Sequence, residues 1–264
     1  MIFQTQPKSQ IYMRPPHTSH ALSTLHKELH FELGKLGMHI QMMPQDPNQD
    51  DSFLTKRAAV ITDKMAILDK NCLYQNHFGD IHRFLVQDRI IKFIEAPGKI
   101  DANDVLRFQD HFFISVTKQT NQEGASQLGY HLLEAGYTVS IIDLSQHGDI
   151  KLSSAVTNAG DKALFVRDDL AKYYAFVGFP IVSVPRTEYD QLGFITYEDK
   201  AIIGFSCPII KAALIDLGFK TITIDDSALD QSDLTLSQFI LPVLVDGQVL
   251  EIKKAPTALQ QASA

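Results

Sequence analysis

Hydrophobic positions along the chain form helical and strand-like patterns that alternate from end to end. Residues 20–37 carry leucines at spacings of three and four, which predicts an amphipathic helix. Gly136 and Gly218 each follow a further helical pattern, as expected at helix C-termini. Three more helices are predicted, over residues 122–135, 167–176 and 208–217.

Short runs rich in β-branched and aromatic residues predict strands between these helices. Pairs of strands separated by a helix recur about every 50 residues, a spacing typical of repeat architectures. The pattern by itself predicts a single α/β domain and favours a cyclic assembly of its units. The predicted strands cover residues 58–62, 65–68, 106–107, 112–116, 138–142, 163–166, 181–184, 201–204 and 221–225.

Composition narrows the class of protein without indicating a function. The chain has 264 residues, of which 45% are hydrophobic and 21% charged, as in globular domains. A net charge of −7 with no strongly basic run argues against nucleic acid as a partner. No apolar run is long enough to predict a membrane span. The domain is expected over residues 1–254, with a small, polar tail that frays over 255–264.

The N-terminus lacks the charged and apolar regions of a signal peptide, so a cytoplasmic location is expected. Cys72 and Cys207 lie far apart, which excludes a disulfide framework and a cysteine-rich zinc site. Cys207 lies at a predicted helix start, where the helix dipole can lower a thiol pKa, but a structural role is favoured. His77, Asp80 and His82 have a generic spacing, so loop residues are favoured over a metal site. No metal or cofactor is predicted.

Residues 94–124 carry the most informative sequence. They contain, in order, a turn tripeptide, two carboxylates three residues apart, an aromatic and β-branched run, and a turn that opens a helix: Ala96-Pro97-Gly98, Asp101 and Asp104, His111–Thr117, and Thr120-Asn121. In this order the segment resembles the guanidine-modifying enzymes of the dimethylargininase and amidinotransferase superfamily.

The resemblance extends over almost the whole chain, from Met13-Arg14-Pro15-Pro16 to the residues Asp233–Ser237. It implies the pentein fold, an α/β propeller of five ββαβ-like modules with pseudo-fivefold symmetry around a channel that holds the active site. In this superfamily a cysteine thiolate attacks a guanidinium carbon, a histidine transfers protons, and a carboxylate orients the histidine. A thiolate is needed because that carbon is a poor electrophile.

In this chain the residues that match those catalytic positions differ in kind. Gln238 falls where the nucleophile belongs, and a shift of one or two residues would place Ser237 or Leu236 there. Lys151 falls at the histidine, and Asp101, one methylene shorter than glutamate, falls at the orienting carboxylate. The resemblance therefore implies that the thiol machinery is missing.

The positions that hold the substrate in the superfamily also change. Asp104 keeps the second acid of its motif, and Gln119 replaces an arginine that holds the substrate's amino-acid end. Lys56 and Arg57 replace the two acids of the guanidinium clamp. A basic side chain repels a guanidinium, and desolvated like charges cost on the order of several kcal/mol. Thiol-based chemistry on guanidines is therefore not expected.

Three interpretations of Lys151 and Asp101 are open. The two residues could form an ion pair left in a decayed site. Lys151 could instead be a catalytic base or an imine-forming amine whose pKa is lowered by burial, an effect that Asp101 would oppose. Lys151 could also line an anion pocket together with Lys56 and Arg57.

The leading functional hypothesis is a repurposed or non-catalytic member that binds a small anionic or carboxylate metabolite in the former active-site channel. The runner-up is an enzyme that uses Lys151 and Asp101 for proton transfer or imine formation. A third hypothesis, from another class, is a non-catalytic partner of an active homologue. Family precedent also allows a homodimer, although no residue pattern indicates an interface.

Overall fold

The fold is built from three-stranded sheets that share one topology. The computed structural model describes residues 10–17, 19–46, 50–70, 79–86, 89–230 and 232–243. These residues form five sheets, in each of which one outer strand is antiparallel to the middle strand and the other is parallel to it. The strands are β1 (Gln10–Met13), β2 (His39–Met42), β3 (Val60–Ile61), β4 (Met65–Asp69), β5 (Ile90–Ile94), β6 (Val105–Phe108), β7 (His111–Val116), β8 (Thr138–Asp143), β9 (Val156–Ala159), β10 (Ala163–Arg167), β11 (Ile181–Val184), β12 (Ile195–Tyr197), β13 (Lys200–Ile203), β14 (Lys220–Thr223) and β15 (Leu241–Val243).

Strands β15 and β1 close the fold by pairing the two ends of the described chain. They are antiparallel, with Gln10 opposite Val243 and Tyr12 opposite Leu241. The sheet order β15-β1-β2 is followed by β3-β4-β5, β6-β7-β8, β11-β10-β9 and β12-β13-β14. The last strand thus completes the first sheet, and the predicted propeller of five ββαβ-like modules is confirmed.

Four of the connections from a middle strand to its parallel neighbour contain an α-helix. In two of them the side chain of the N-cap residue satisfies a free amide at the helix start. Ser19 Oγ accepts from Leu22 N at 3.2 Å, and Asn121 Oδ1 accepts from Gly124 N at 2.8 Å. Three of the four predicted helices are confirmed. The helices are α1 (His20–Lys35), α2 (Gly79–Leu85), α3 (Gln122–Glu134) and α4 (Pro208–Asp216).

The predicted helix over 167–176 is wrong. Directly after β10, Asp168 N donates to Val184 O of β11 at 2.9 Å, so the sheet still holds the backbone where the helix would begin. The connection then continues in turns and a single 3-10 helix, Tyr174–Phe176. Local propensity is a weak determinant that tertiary contacts override.

Apolar side chains from neighbouring modules share their cores. Leu128 and Leu132 of α3 are fully buried in one cluster with Ile67 of β4 and Ile114 of β7. The apolar stripe of the helix therefore determines which of its faces packs inward. No helix within the described ranges is long and apolar enough to cross a membrane.

A short 3-10 helix precedes the antiparallel outer strand of every sheet. The five segments are Thr55–Ala58, Ala102–Asp104, Leu152–Ser154, Arg186–Gln191 and Leu236–Phe239. All except Arg186–Gln191 contain or adjoin predicted site residues.

Candidate functional site

Hydrogen bonds link the 3-10 segments across the centre of the cycle. Thr55 Oγ1 lies 3.0 Å from Phe239 O, which joins the first segment to the last. Arg57 Nε donates to Asp101 Oδ2 at 3.1 Å, which joins the first segment to the second. These contacts connect modules that are distant in sequence.

Three backbone amides complete the circuit. Leu152 N donates to Asp104 Oδ1 at 3.4 Å, and Gly193 N donates to Thr157 Oγ1 at 2.6 Å. Ser237 N in turn donates to Gly193 O at 2.8 Å. The circuit therefore passes through all five modules.

Gly193 is the tightest point of this circuit. Its φ is 95°, and a Cβ at this position would lie 2.4 Å from Thr235 Cβ, so glycine is required. The central ring is defined as Gly193 together with the four linked segments, Thr55–Ala58, Ala102–Asp104, Leu152–Ser154 and Leu236–Phe239.

Asp101 lies just before the second segment and is buried. Its Oδ1 accepts from Asn103 N at 2.9 Å, while Oδ2 accepts from Arg57. Its own amide donates to Thr120 Oγ1 at 2.9 Å. Arg57 also binds Asp51, so two carboxylates neutralise one guanidinium. Both oxygens of Asp101 are thus occupied by partners within the protein.

Asp104 is fully buried among donors. Its Oδ2 accepts from Thr117 Oγ1 at 2.6 Å and from Thr120 Oγ1 at 2.7 Å. Burial raises the pKa of Asp104 to about 6, because removal from water penalises the charged form more strongly than the threonine hydroxyls favour it. The charge on Asp101 also raises this pKa. Asp104 is therefore half-protonated slightly below neutral pH.

Asn103 lies between these carboxylates, and it is fully buried. Its side-chain Nδ2 and Oδ1 form no hydrogen bond with any part of the chain that the structure describes. An unpaired buried amide costs about 1–3 kcal/mol of stability. The ring therefore contains a donor and an acceptor that the fold itself leaves unused.

Lys56 is partly buried between Thr55 and Arg57. Burial lowers the pKa of its amine to about 8, although the nearby charge of Asp101 acts in the opposite direction. Lys56 and Arg57 thus belong to the ring, and Arg57 is directed to the buried Asp101.

Lys151 is also partly buried and directly precedes the third segment. It forms no ion pair with Asp101 among the described residues, because Asp101 is bound by Arg57 and the Asn103 amide. The ion-pair interpretation of these two residues is therefore corrected. The structure places Lys151 at the ring as a separate cation.

Gln238 is fully buried and holds two segments together. Its Oε1 accepts from Thr235 N at 3.2 Å, which forms a capping box, and its Nε2 donates to Ser153 Oγ at 3.1 Å. The neighbouring Ser237 is partly buried in the ring, whereas Gln119 is exposed. Both polar atoms of the Gln238 side chain are therefore engaged in hydrogen bonds within the protein.

The described thiol is not part of the ring. Cys207 is buried in the core beside α4, and burial, followed by the charges of Glu188 and Asp226, raises its pKa to about 12. Its Sγ donates to Gly204 O at 3.3 Å. The predicted structural role agrees with this placement.

The structure describes the remaining candidates from the sequence only in part. Cys72 and His77, together with the side chain of Asp80, lie outside the described residues. His82 of α2 lies against Phe93, with ring centroids 6.0 Å apart. Within the described ranges no group of three histidine, cysteine or carboxylate side chains is placed to hold a metal ion.

Known proteins share both sequence and fold with this chain. N(G),N(G)-dimethylarginine dimethylaminohydrolase of Pseudomonas aeruginosa is 24% identical over 195 residues, which are 71% of this chain and 75% of that protein. No protein-family model matches the chain. A cysteine-to-serine mutant of the Pseudomonas aeruginosa enzyme complexed with citrulline superposes with a TM-score of 0.78 at 22% identity, covering 88% of this chain and 98% of that one. The chain has the pentein fold of the dimethylargininase-like superfamily.

A second pentein supports the same conclusion. The N-terminal domain of ArgZ, a cyanobacterial arginine dihydrolase, superposes with a TM-score of 0.76 at 12% identity, covering 89% of this chain and 98% of that domain. At this level of identity the comparison establishes the fold. The chemistry of this pentein must be argued from its own residues. The resemblance inferred from residues 94–124 is thereby confirmed.

Sequence reasoning missed the residues that hold the pentein ring together. Gly193 had a visible signal, because a glycine between strand patterns often marks a close approach of two backbones. Thr55 and Ser153 had no such signal in the sequence. Their partners lie 184 and 85 residues away, at separations that no local pattern reports.

Proposed function

We propose that this pentein binds a small carboxylate-bearing metabolite at the central ring and does not perform thiol-based guanidine chemistry. The observation that carries the proposal is the placement of two consecutive bases, Lys56 and Arg57, in a ring segment whose arginine contacts buried Asp101. Lys151 adds a third cation on another segment of the same ring.

Two of the three bases at the ring have no carboxylate partner among the described residues. Arg57 is the one of the three bases that forms ion pairs within the described chain, with Asp101 and Asp51. Arg57 Nη2, Lys56 Nζ and Lys151 Nζ donate to no described residue, so each can bind a carboxylate oxygen. Asp51 and Asp101 neutralise Arg57, so a guanidinium ligand would meet unpaired like charge from Lys56 and Lys151, which opposes its binding.

The nucleophile position also supports a binding role. Gln238 is an amide with both ends engaged by Thr235 and Ser153, and an amide is neither a nucleophile nor a base at neutral pH. Citrulline, with which the Pseudomonas aeruginosa relative was solved, also carries a carboxylate. A carboxylate ligand therefore keeps one chemical feature of the ligand in that relative.

Isothermal titration calorimetry tests the proposal with a panel of carboxylic acids, phosphorylated metabolites and arginine derivatives. We expect a carboxylate to bind, and Lys151→Gln to weaken its binding about tenfold, a loss of roughly 1.4 kcal/mol. The matched control is Lys220→Gln, because Lys220 is exposed and pairs with Asp199 away from the ring. Binding of arginine derivatives and of no anion would overturn the proposal.

A further inference from the structure

We propose that a cleft between β5 and α3 binds a small organic cation of the quaternary ammonium class. The cleft has a volume of about 500 Å³, and small-molecule sites usually measure about 300–1,000 Å³. None of the described residues that line it belongs to the central ring, so this site is separate from the proposed carboxylate site. The lining residues are Phe93 and Glu95 on the side of β5, and Ser126, Gln127, Tyr130 and His131 on α3.

Aromatic rings form both walls of the cleft. On α3 the rings of Tyr130 and His131 have centroids 5.9 Å apart and planes inclined by 62°. On β5 the ring of Phe93 contacts that of His82, with centroids 6.0 Å apart. Tyr130 is 59% exposed, so a ligand can reach its ring. The face of an aromatic ring attracts a cation, and a quaternary ammonium is the ligand that such walls suit best.

Carboxylates outnumber bases around the cleft. Glu123 Oε1 accepts from Gln127 Nε2 at 2.9 Å, and Glu134 Oε1 accepts from the hydroxyl of the lining tyrosine at 2.7 Å. Lys70 pairs with Glu95 and neutralises it. Glu123 and Glu134 have no lysine or arginine partner within the described ranges. Two negative charges at the rim are therefore left to attract a cation.

The polar side chains of the cleft are largely engaged within the protein. Gln127 Oε1 accepts from Glu95 N at 2.9 Å, and Gln127 Nε2 donates to Glu95 O at 3.1 Å. Ser126 Oγ donates to a backbone carbonyl of its own helix at 2.8 Å. His131 Nδ1 has no hydrogen bond to a described residue, but it is buried and lies 3.9 Å from Glu134 Oε2. A sugar or a nucleotide would need several hydrogen bonds here, whereas a quaternary ammonium needs none.

Proton NMR titration of the full chain tests this site. The probes are choline, phosphocholine and the neutral analogue of choline in which a tert-butyl group replaces trimethylammonium. We expect choline to bind with its methyl signals shifted upfield by the aromatic faces, and the neutral analogue to bind about fivefold more weakly. Phosphocholine should bind more weakly than choline, because its phosphate meets the two carboxylates. Salt should weaken choline binding, because these carboxylates are exposed.

Variants locate the choline that binds. Tyr130→Leu should weaken choline binding about fivefold, whereas Tyr130→Phe keeps the ring and should retain it. Tyr174→Leu is the matched control, because Tyr174 is an exposed tyrosine outside the cleft. Glu134→Gln should weaken choline binding about twofold. Asp216→Asn, which removes an exposed charge from α4, should leave it unchanged. Thermal melting of each variant establishes that it is folded.

Three results would overturn the proposal. Equal binding of choline and its neutral analogue would show that apolar contact alone is responsible. Phosphocholine binding more tightly than choline would show that the carboxylates do not select the ligand. Absence of choline binding, or unchanged binding by Tyr130→Leu, would show that the cleft is not the site. None of these results bears on carboxylate binding at the central ring, so the two proposals fail separately.

Discussion

Arg57 Nε donates to Asp101 Oδ2 over 3.1 Å, and the two residues lie 44 positions apart in the chain. The Asp101 side chain is 4% exposed and that of Arg57 is 27% exposed, so the pair is only partly screened by water. It joins two modules and gives one oxygen of the buried Asp101 a guanidinium donor.

Arg57→Met should lower the free energy of unfolding by about 2 kcal/mol. Removing one partner of a buried pair costs about 3–5 kcal/mol, and the partial exposure of Arg57 reduces that figure. Lys70→Met is the matched control, because Lys70 and Glu95 form an exposed pair that should contribute about 0–1 kcal/mol. Urea denaturation measures both, and equal losses would contradict the structural role of the Arg57–Asp101 pair.

Asp104→Asn should gain stability relative to the unchanged protein as pH rises. The folded-state pKa of Asp104 is about 6, above its unfolded value of 3.8, so the folded protein binds the extra proton between these values. Its contribution to stability is present below pH 3.8 and lost as pH rises through 6. The variant lacks this loss, which amounts to about 3 kcal/mol. Urea denaturation of both proteins at pH 4 and pH 7 measures the difference between their free energies of unfolding. That difference would be the same at both pH values if folding did not change the pKa of Asp104.

His26→Leu should make folding less sensitive to acid. His26 is buried in α1, and burial, with a smaller effect of His30, lowers its pKa to about 4 from 6.5. The unfolded chain therefore binds more protons between these values, and stability is lost as pH falls from 6.5 towards 4, by about 3 kcal/mol. His20→Leu, at an exposed position of the same helix, is the control. Thermal melting over this pH range should show a smaller loss of stability for His26→Leu than for His20→Leu or the unchanged protein.

Asn103→Ala should destabilise the fold much less than Asn121→Ala. The Asn103 side chain has no described partner, so its removal relieves an unpaired buried amide and offsets the loss of packing. Asn121 Oδ1 caps α3, and its loss should lower the free energy of unfolding by about 1 kcal/mol. A larger loss for Asn103→Ala in urea denaturation would show that its amide is paired in solution.

Gln238→Cys should not produce citrulline from methylated arginines. The ring of such a variant still carries the unpaired bases Lys56 and Lys151, which oppose the binding of a guanidinium substrate. Ser237→Cys covers the alternative alignment of the nucleophile and should be equally inactive in a colorimetric citrulline assay. Citrulline formation by either variant would show that the two bases do not prevent binding of a cationic substrate.

Residues that act locally were predictable from sequence, and residues that act across the fold were not. The leucine spacing in α1 and the Asn121 cap of α3 each depend on neighbours within a few positions. Strands β1, β2, β5, β9, β12 and β15 were not predicted from periodicity. They contain at most five residues each, and their sheet neighbours rather than their own patterns hold them extended.

The amino-acid sequence by itself determined which side chains are available to the ring, among them a pair of bases, a lysine and an amide, and an order of elements that closes into five modules. Only the tertiary structure decided which groups meet. Asp101 binds Arg57 rather than Lys151, and Gln238 reaches Ser153. The physical reason is that partner choice and burial follow from closure of the ring over separations of 44 to 184 residues, which no local pattern encodes.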